Sequence, residues 1–274
     1  MIVVIPVYKP FSALTHFEIS SLLQCFSILH TRIIYIIGPA NLDLADYIQF
    51  AKANNININT EKFRNSYFKN ISGYNKLLLS KEFYKRFLFS KFLLIYQLDA
   101  WVFSDQLDFW IKQNYDFVGA PLFEGFNGKN NINFIKGCNG GLSLRSVQSS
   151  MQLIRKVKVL LALYFLTYIF GIFRVHLFNQ IIKIFKLSEK YHIKSSEKLH
   201  AAMVARKRNE DYVWTKFLEE AFIGYKVPDS LTSLKFSFEV NSKYLYSLNN
   251  NQLPFGCHAW EKYEPEFWEN FIKV

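Results

Sequence analysis

The 274-residue chain has three cysteines, Cys25, Cys138 and Cys257, odd in number and widely spaced. Such a set encodes neither a disulfide framework nor a zinc site, and it favours a reducing compartment. No charged stretch precedes the opening "MIVVIPVYKP", and Pro6 interrupts its apolar run. That is the pattern of a first β-strand rather than a secretory signal. No internal repeat and no low-complexity linker is present. No Gly-Lys-Ser/Thr follows the Asn139-Gly140-Gly141 turn, which excludes a Walker loop. The apolar run "VLLALYFLTYIFGIF" (159–173) has fifteen residues. As a helix it would reach ~22 Å, short of the roughly 30 Å bilayer core.

Negative charge is scarce in one place only. Residues 151–208 carry twelve lysines and arginines against Glu189 and Glu197, so ten of the eleven net positive charges lie there. The basic character is local and needs a local cause. The following "RVHLFNQIIKIFKL" (174–187) sets Leu177, Phe178, Ile181, Ile184 and Phe185 on one helical face, with Arg174, Lys183 and Lys186 beside it. The expectation is an interfacial helix, with 155–187 meeting an anionic membrane surface. A hairpin buried in a soluble domain or at a dimer interface is the alternative. Nucleic acid is disfavoured, because the bases interleave with aliphatic runs rather than forming a polar face.

What is present in abundance is apolar: half the residues are hydrophobic, with 28 Phe and 16 Tyr. The chain can therefore bury a large aromatic core. Strand patterns at 2–8, 31–39, 56–63, 91–103 and 115–123 alternate with helix patterns at 12–29, 44–55, 71–87 and 107–114. Ser12 is a candidate cap, and polar loops are expected at 126–133 and 247–256. This order predicts an α/β fold with a mostly parallel sheet. Such sheets bind ligands beyond the carboxyl ends of their strands. The expected division is an α/β half over 1–150, a basic apolar helical insertion over 151–208, and a part over 209–274 that completes the first domain.

Four features could carry chemistry. Asp99 interrupts "FLLIYQLDAWVF", where an unpaired carboxylate would cost several kcal/mol. A cation between it and a diphosphate would remove that cost. Asp105 is expected to face solvent or cap the helix at 107–114. Asn139-Gly140-Gly141 lets backbone approach a ligand closely. Asn209, Glu210 and Asp211 open a helix; they suit a cap and first turn, or a general base. His258, in "PFGCHAW", is a structural histidine or a metal ligand partnered by Asp99.

The ordered set "IPVYKP" (5–10), "YNKLLLS" (74–80), "YQLDAWVFSD" (96–105), "YDFVGAPLF" (115–123), "GCNGGLSLRS" (137–146), "NEDYVW" (209–214) and "PFGCHAW" (254–260) resembles a bacterial glycosyltransferase family of unknown detailed function. That family has a GT-A-type fold and is linked to lipopolysaccharide and capsule synthesis. The resemblance implies sugar transfer from a nucleotide-sugar to a glycan acceptor that can be lipid-linked, with inversion, at the inner face of the cytoplasmic membrane. It places Pro6, Val7 and Tyr8 at the nucleotide, and Asn139, Gly140 and Gly141 at the donor sugar. It puts Asp99 and His258 on a divalent metal, Mn²⁺ or Mg²⁺, and Asp211 with Glu210 at the base position. Where the family pattern has a second acid after Asp99, this chain has Trp101. Asp99 and His258 must then approach within ~8 Å for one cation at ~2.0–2.6 Å ligand distances to touch both. A nucleotidyltransferase and a non-catalytic membrane scaffold are the rival expectations.

Overall fold

The computed structural model describes residues 1–125, 132–167, 174–204 and 209–274. Part of the expected loop at 126–133, the end of the apolar run (168–173) and the basic Arg206, Lys207 and Arg208 lie outside the described residues.

The strands in chain order are β1 (Ile2–Pro6), β2 (Ile33–Pro39), β3 (Ile58–Phe63), β4 (Phe92–Tyr96), β5 (Ala100–Val102), β6 (Phe117–Val118), β7 (Pro121–Phe123), β8 (Phe134–Cys138), β9 (Leu142–Ser146), β10 (Ser237–Phe238) and β11 (Gly256–His258). The main sheet runs β3-β2-β1-β4-β9-β6. Its first four strands are parallel, and β9 lies antiparallel to both β4 and β6. The α/β class with a mostly parallel sheet is therefore as the alternation implied.

Both faces of the sheet are covered, which is why β1 and β4 are buried along their whole length. Val3 and Ile5 pack on one side with Leu22 and Phe26 of the helix His16–Leu29. Ile2 and Val4 face the other side, with Phe83, Tyr84 and the helix Val147–Leu166. The period of two along β1 assigns alternate residues to the two cores.

Several expected elements are shorter or divided. The first helix is capped by Thr15, whose reciprocal pairing with Glu18 forms a capping box, so Ser12 falls in a preceding short turn. The helix expected at 71–87 is two, Ile71–Leu78 and Lys81–Arg86, because Ser80 caps the second. The strand expected at 115–123 is divided between β6 and β7, in different sheets. Asp105 accepts from Leu107 N–H at 3.1 Å and pairs with Arg32 at 2.7 Å.

The most consequential division is at 91–103. The chain leaves β4 after Tyr96, turns through Gln97–Asp99, and enters β5 of a small second sheet ordered β10-β11-β5. A hydrogen bond from Ala100 N–H to Gln97 O (2.9 Å) closes the turn. Trp101 lies in an aromatic core against Trp260, with ring centroids 5.7 Å apart. A packed indole therefore stands where a second acid would face the ligand.

The described parts of the segment 151–208 pack into the same core as one face of the main sheet. Leu160, Tyr164, Phe178, Ile182, Leu187 and Leu199 are all buried there. The single apolar face expected on 174–187 is thus split: Phe178 is buried, Leu177 and Ile181 are half-buried, and Ile184 and Phe185 are exposed. Among the described residues no helix is long and apolar enough to cross a membrane.

Candidate active site

A cleft of about 650 Å³ opens beyond the carboxyl ends of β1 and β4. Pro6, Val7, Tyr8, Asp99, Asn139, Gly140, Gly141, Glu210, Asp211 and His258 all line it. Residues spread over most of the chain meet at the place where open α/β sheets bind ligands.

One wall is built on the β4–β5 turn. β11 runs antiparallel to β5 and pairs His258 with Ala100, while Ala259 N–H donates to Asp99 O at 2.8 Å. His258 Nε2 consequently lies 3.1 Å from Asp99 Oδ1. Gln97 Oε1 is 3.2 Å from the same nitrogen. On the other side of the ring, Nδ1 lies 3.1 Å from Glu239 Oε1. Burial alone would lower the His258 pKa, but Asp99 and Glu239 outweigh it and hold the imidazole well above its usual value. Burial would likewise raise Asp99, yet His258 holds it below the usual carboxylate range.

The turn between β8 and β9 forms the floor. Asn139 Nδ2 donates to Glu239 Oε1 (3.0 Å), and Asn139 Oδ1 accepts from Gly141 N–H (2.8 Å). Gly141 presses on His258: a Cβ there would lie 2.0 Å from Nε2. Gly141→Ala must therefore push the imidazole away from Asp99. The expected result, read by NMR titration, is a His258 pKa that falls toward the ordinary value, with a stability loss of about 1–3 kcal/mol from overpacking.

Glu210 and Asp211 have separate fates. Arg145, fully buried on β9, holds both carboxylate oxygens of Glu210 at 2.8 and 3.0 Å. The same guanidinium donates to Gly140 O and Ser143 Oγ and packs over the Phe117 ring. Glu210 is thus a structural partner and not a free base, which separates the pair that the sequence left joined. Asp211 Oδ2 accepts from Gly140 N–H at 3.1 Å. Burial, then the Glu210 charge, raise its pKa to about 7. Asn209 precedes the helix, but its side chain makes no capping bond. Its Oδ1 accepts from Asn75 instead.

Glu239, Gln97 and Arg145 escaped the sequence reading. Glu239 and Arg145 each carry the signal that exposed Asp99, a charge inside an apolar strand-like run: "KFSFEV" and "GLSLRS".

Among the described residues no three His, Cys, Asp or Glu side chains converge as a metal-binding group. The cleft nevertheless suits a cation on its donor chemistry. Asp99 Oδ1 and His258 Nε2 have the separation of neighbouring ligands on one ion. Glu18, Asp99, Asp211 and Glu261 line the cleft against Lys9, Lys69 and Lys262.

These features define an α/β protein of GT-A architecture. The galactosyltransferase LgtC, solved with donor and acceptor sugar analogues, shares the fold: TM-score 0.52, 12% identity, 94% of this chain and 86% of that one. GlyE of Streptococcus pneumoniae TIGR4 aligns at TM-score 0.44 and 12% identity over 99% of this chain and 61% of its own. The chain thus spans about three fifths of that protein's length. Mouse xyloside xylosyltransferase 1 aligns at TM-score 0.46 and 9% identity, over 94% of this chain and 96% of that one. No curated protein matches the sequence. The chain belongs to the family described as protein of unknown function DUF5672, matched over residues 57–258.

Proposed function

We propose that the protein is a glycosyltransferase that moves a sugar from a nucleotide-sugar donor to a hydroxyl of a glycan acceptor. One observation carries this reading: a single cleft at the strand ends sets the Asp99–His258 pair near the Gly140–Gly141 turn, with Asp211 on that turn's other flank. The shared fold with LgtC supports it. In this reading the nucleotide lies along Pro6, Val7 and Tyr8, and the donor sugar rests on Asn139, Gly140 and Gly141.

The carboxylates lining this cleft would repel a diphosphate. Asp99 and His258 would hold a divalent cation, with Gln97 beside them. A bound Mn²⁺ or Mg²⁺ supplies the positive charge that stabilises the departing diphosphate. His258 must be deprotonated to bind it, so the cation and the His258 proton compete for the same atoms. Glu239, on Nδ1, fixes which nitrogen faces the cleft.

Asp211 is the candidate base for the acceptor hydroxyl. A pKa near 7 suits that task, since the group can be ionised at neutral pH and still accept a proton. The expected outcome is inversion at the anomeric carbon; a product with retained configuration would remove the base role from Asp211. A hexose donor and a lipid-linked, surface-polysaccharide acceptor complete the reading, on the strength of the family resemblance.

Thermal melting with a panel of sugar nucleotides, each with and without Mn²⁺ or Mg²⁺, tests the donor site. A ligand that binds only the folded state raises Tm by mass action, by about 2.7 kcal/mol of stability at a hundred times its Kd. Stabilisation by at least one donor, greater with the cation and lost in Asp99→Asn, is expected. No shift with any donor would count against the site.

A further inference from the structure

Among the described residues no lysine or arginine of 151–208 lines the cleft, and the placement of these cations suggests another role. The helix Arg174–Ile184 is anchored by buried Phe178 and Ile182. It closes with Phe185 N–H bonding Ile181 O (3.1 Å), and the chain turns at Lys186, where φ is 48°. The next residue, Leu187, is buried again. Four consecutive exposed residues, Lys183-Ile184-Phe185-Lys186, are therefore held out between two buried anchors. Ile184 is 70% exposed and Phe185 67%. They follow Phe178 and Ile182 on the chain but lie past the last buried turn of the helix. Among the described residues neither lysine forms an ion pair.

The helix Val147–Leu166 repeats this composition on its outward side. Arg155, Lys158, Val159, Phe165 and Leu166 are exposed there, spaced three, four and seven residues apart along one stripe. In both places large apolar side chains stand beside cations.

We propose that this region docks the protein on an anionic lipid bilayer, with Ile184 and Phe185 entering the interface and the flanking lysines meeting lipid phosphates. The occupant is argued from charge complementarity. A bilayer with anionic headgroups offers an apolar layer directly beneath a negative one, matching apolar tips flanked by Lys183 and Lys186. Association is peripheral, since no described helix is long and apolar enough to cross. The proposal is independent of the sugar-transfer reading.

Flotation of the full chain with phosphatidylcholine vesicles, with and without phosphatidylglycerol, tests it. Binding is expected only with the anionic lipid and should weaken as salt is raised. Ile184→Ser/Phe185→Ser should lower affinity by about 10-fold or more. Each of Lys183→Gln and Lys186→Gln should lower it by about 5-fold. Phe109→Ser, at an exposed aromatic outside the insertion, should float like the wild type. All these positions are exposed, so unchanged melting curves verify folding. The proposal is overturned by failure of the wild type to float, by equal flotation with neutral vesicles, or by unchanged flotation of the double variant. Self-association abolished by the double variant, without vesicle binding, would assign the patch to a second copy of the chain and also overturn it.

Discussion

Asp211→Asn should lower sugar transfer by about 10²–10⁴-fold, the range expected for loss of a general base, while making the folded protein more stable above neutral pH. The carboxylate accepts from Gly140 N–H on Oδ2 and from Tyr212 N–H (2.7 Å) on Oδ1, and the amide oxygen can keep only one of the two, so removal of the charge is offset in part by one lost hydrogen bond. The stability gain follows from linkage. Asp211 has a folded pKa of about 7 against an ordinary 3.8. As pH rises from about 4 to about 7, the unfolded chain gives up this proton and the folded chain keeps it. The carboxyl therefore destabilises the fold increasingly over that window, and by a constant amount above it. Replacing it should raise Tm at pH 8, by an amount worth up to a few kcal/mol, and lower it slightly near pH 4, where only the lost hydrogen bond counts. The wild type's kcat/KM should rise with pH through about 7. A melt series and a pH–rate profile check both halves. A Tm that drops equally at every pH would show that Asp211 is an ordinary structural carboxylate.

Arg145→Met is expected to cause the largest loss of stability. The guanidinium is fully buried and donates to Glu210, Gly140 O and Ser143 Oγ. Removing it leaves the Glu210 carboxylate buried without its partner, which costs about 3–5 kcal/mol. For a domain of this size that lowers Tm by roughly 10 °C. Arg145→Met/Glu210→Leu should recover most of the stability, because a buried ion pair can be exchanged for apolar packing at little net cost. It should not recover transfer. Gly140 would lose a hydrogen bond to its carbonyl, and Gly140 N–H is what meets Asp211. Melting temperatures and transfer rates of the two variants, against the wild type, separate packing from positioning.

The alternation of strand and helix patterns made the layer architecture legible, because each period reports which residues face a core. Asp99 was legible for the opposite reason: it breaks such a pattern. What could not be read was where a continuous apolar run changes sheets. "FLLIYQLDAWVF" has strand composition throughout, and only the turn at Gln97–Asp99, closed through Ala100, divides it. The Asp99–His258 meeting could be proposed but not located, since it depends on antiparallel pairing of β5 with β11, about 160 residues apart. Glu210 and Asp211 are equivalent in sequence; their difference comes from Arg145, a partner 65 residues from Glu210. The insertion misled for a related reason. Helical periodicity set Phe178 and Ile184 on one face, but the helix ends at Ile184 and only its earlier turns reach the core.

Release of nucleoside diphosphate and formation of a glycosylated product, measured over a panel of nucleotide sugars and glycan acceptors, test the central claim most directly. Turnover with at least one donor is expected, dependent on Asp99 and on Asp211, with each variant folded as judged by its melting curve. Turnover that persists in folded Asp99→Asn and Asp211→Asn proteins would contradict the assignment of the chemistry to this cleft.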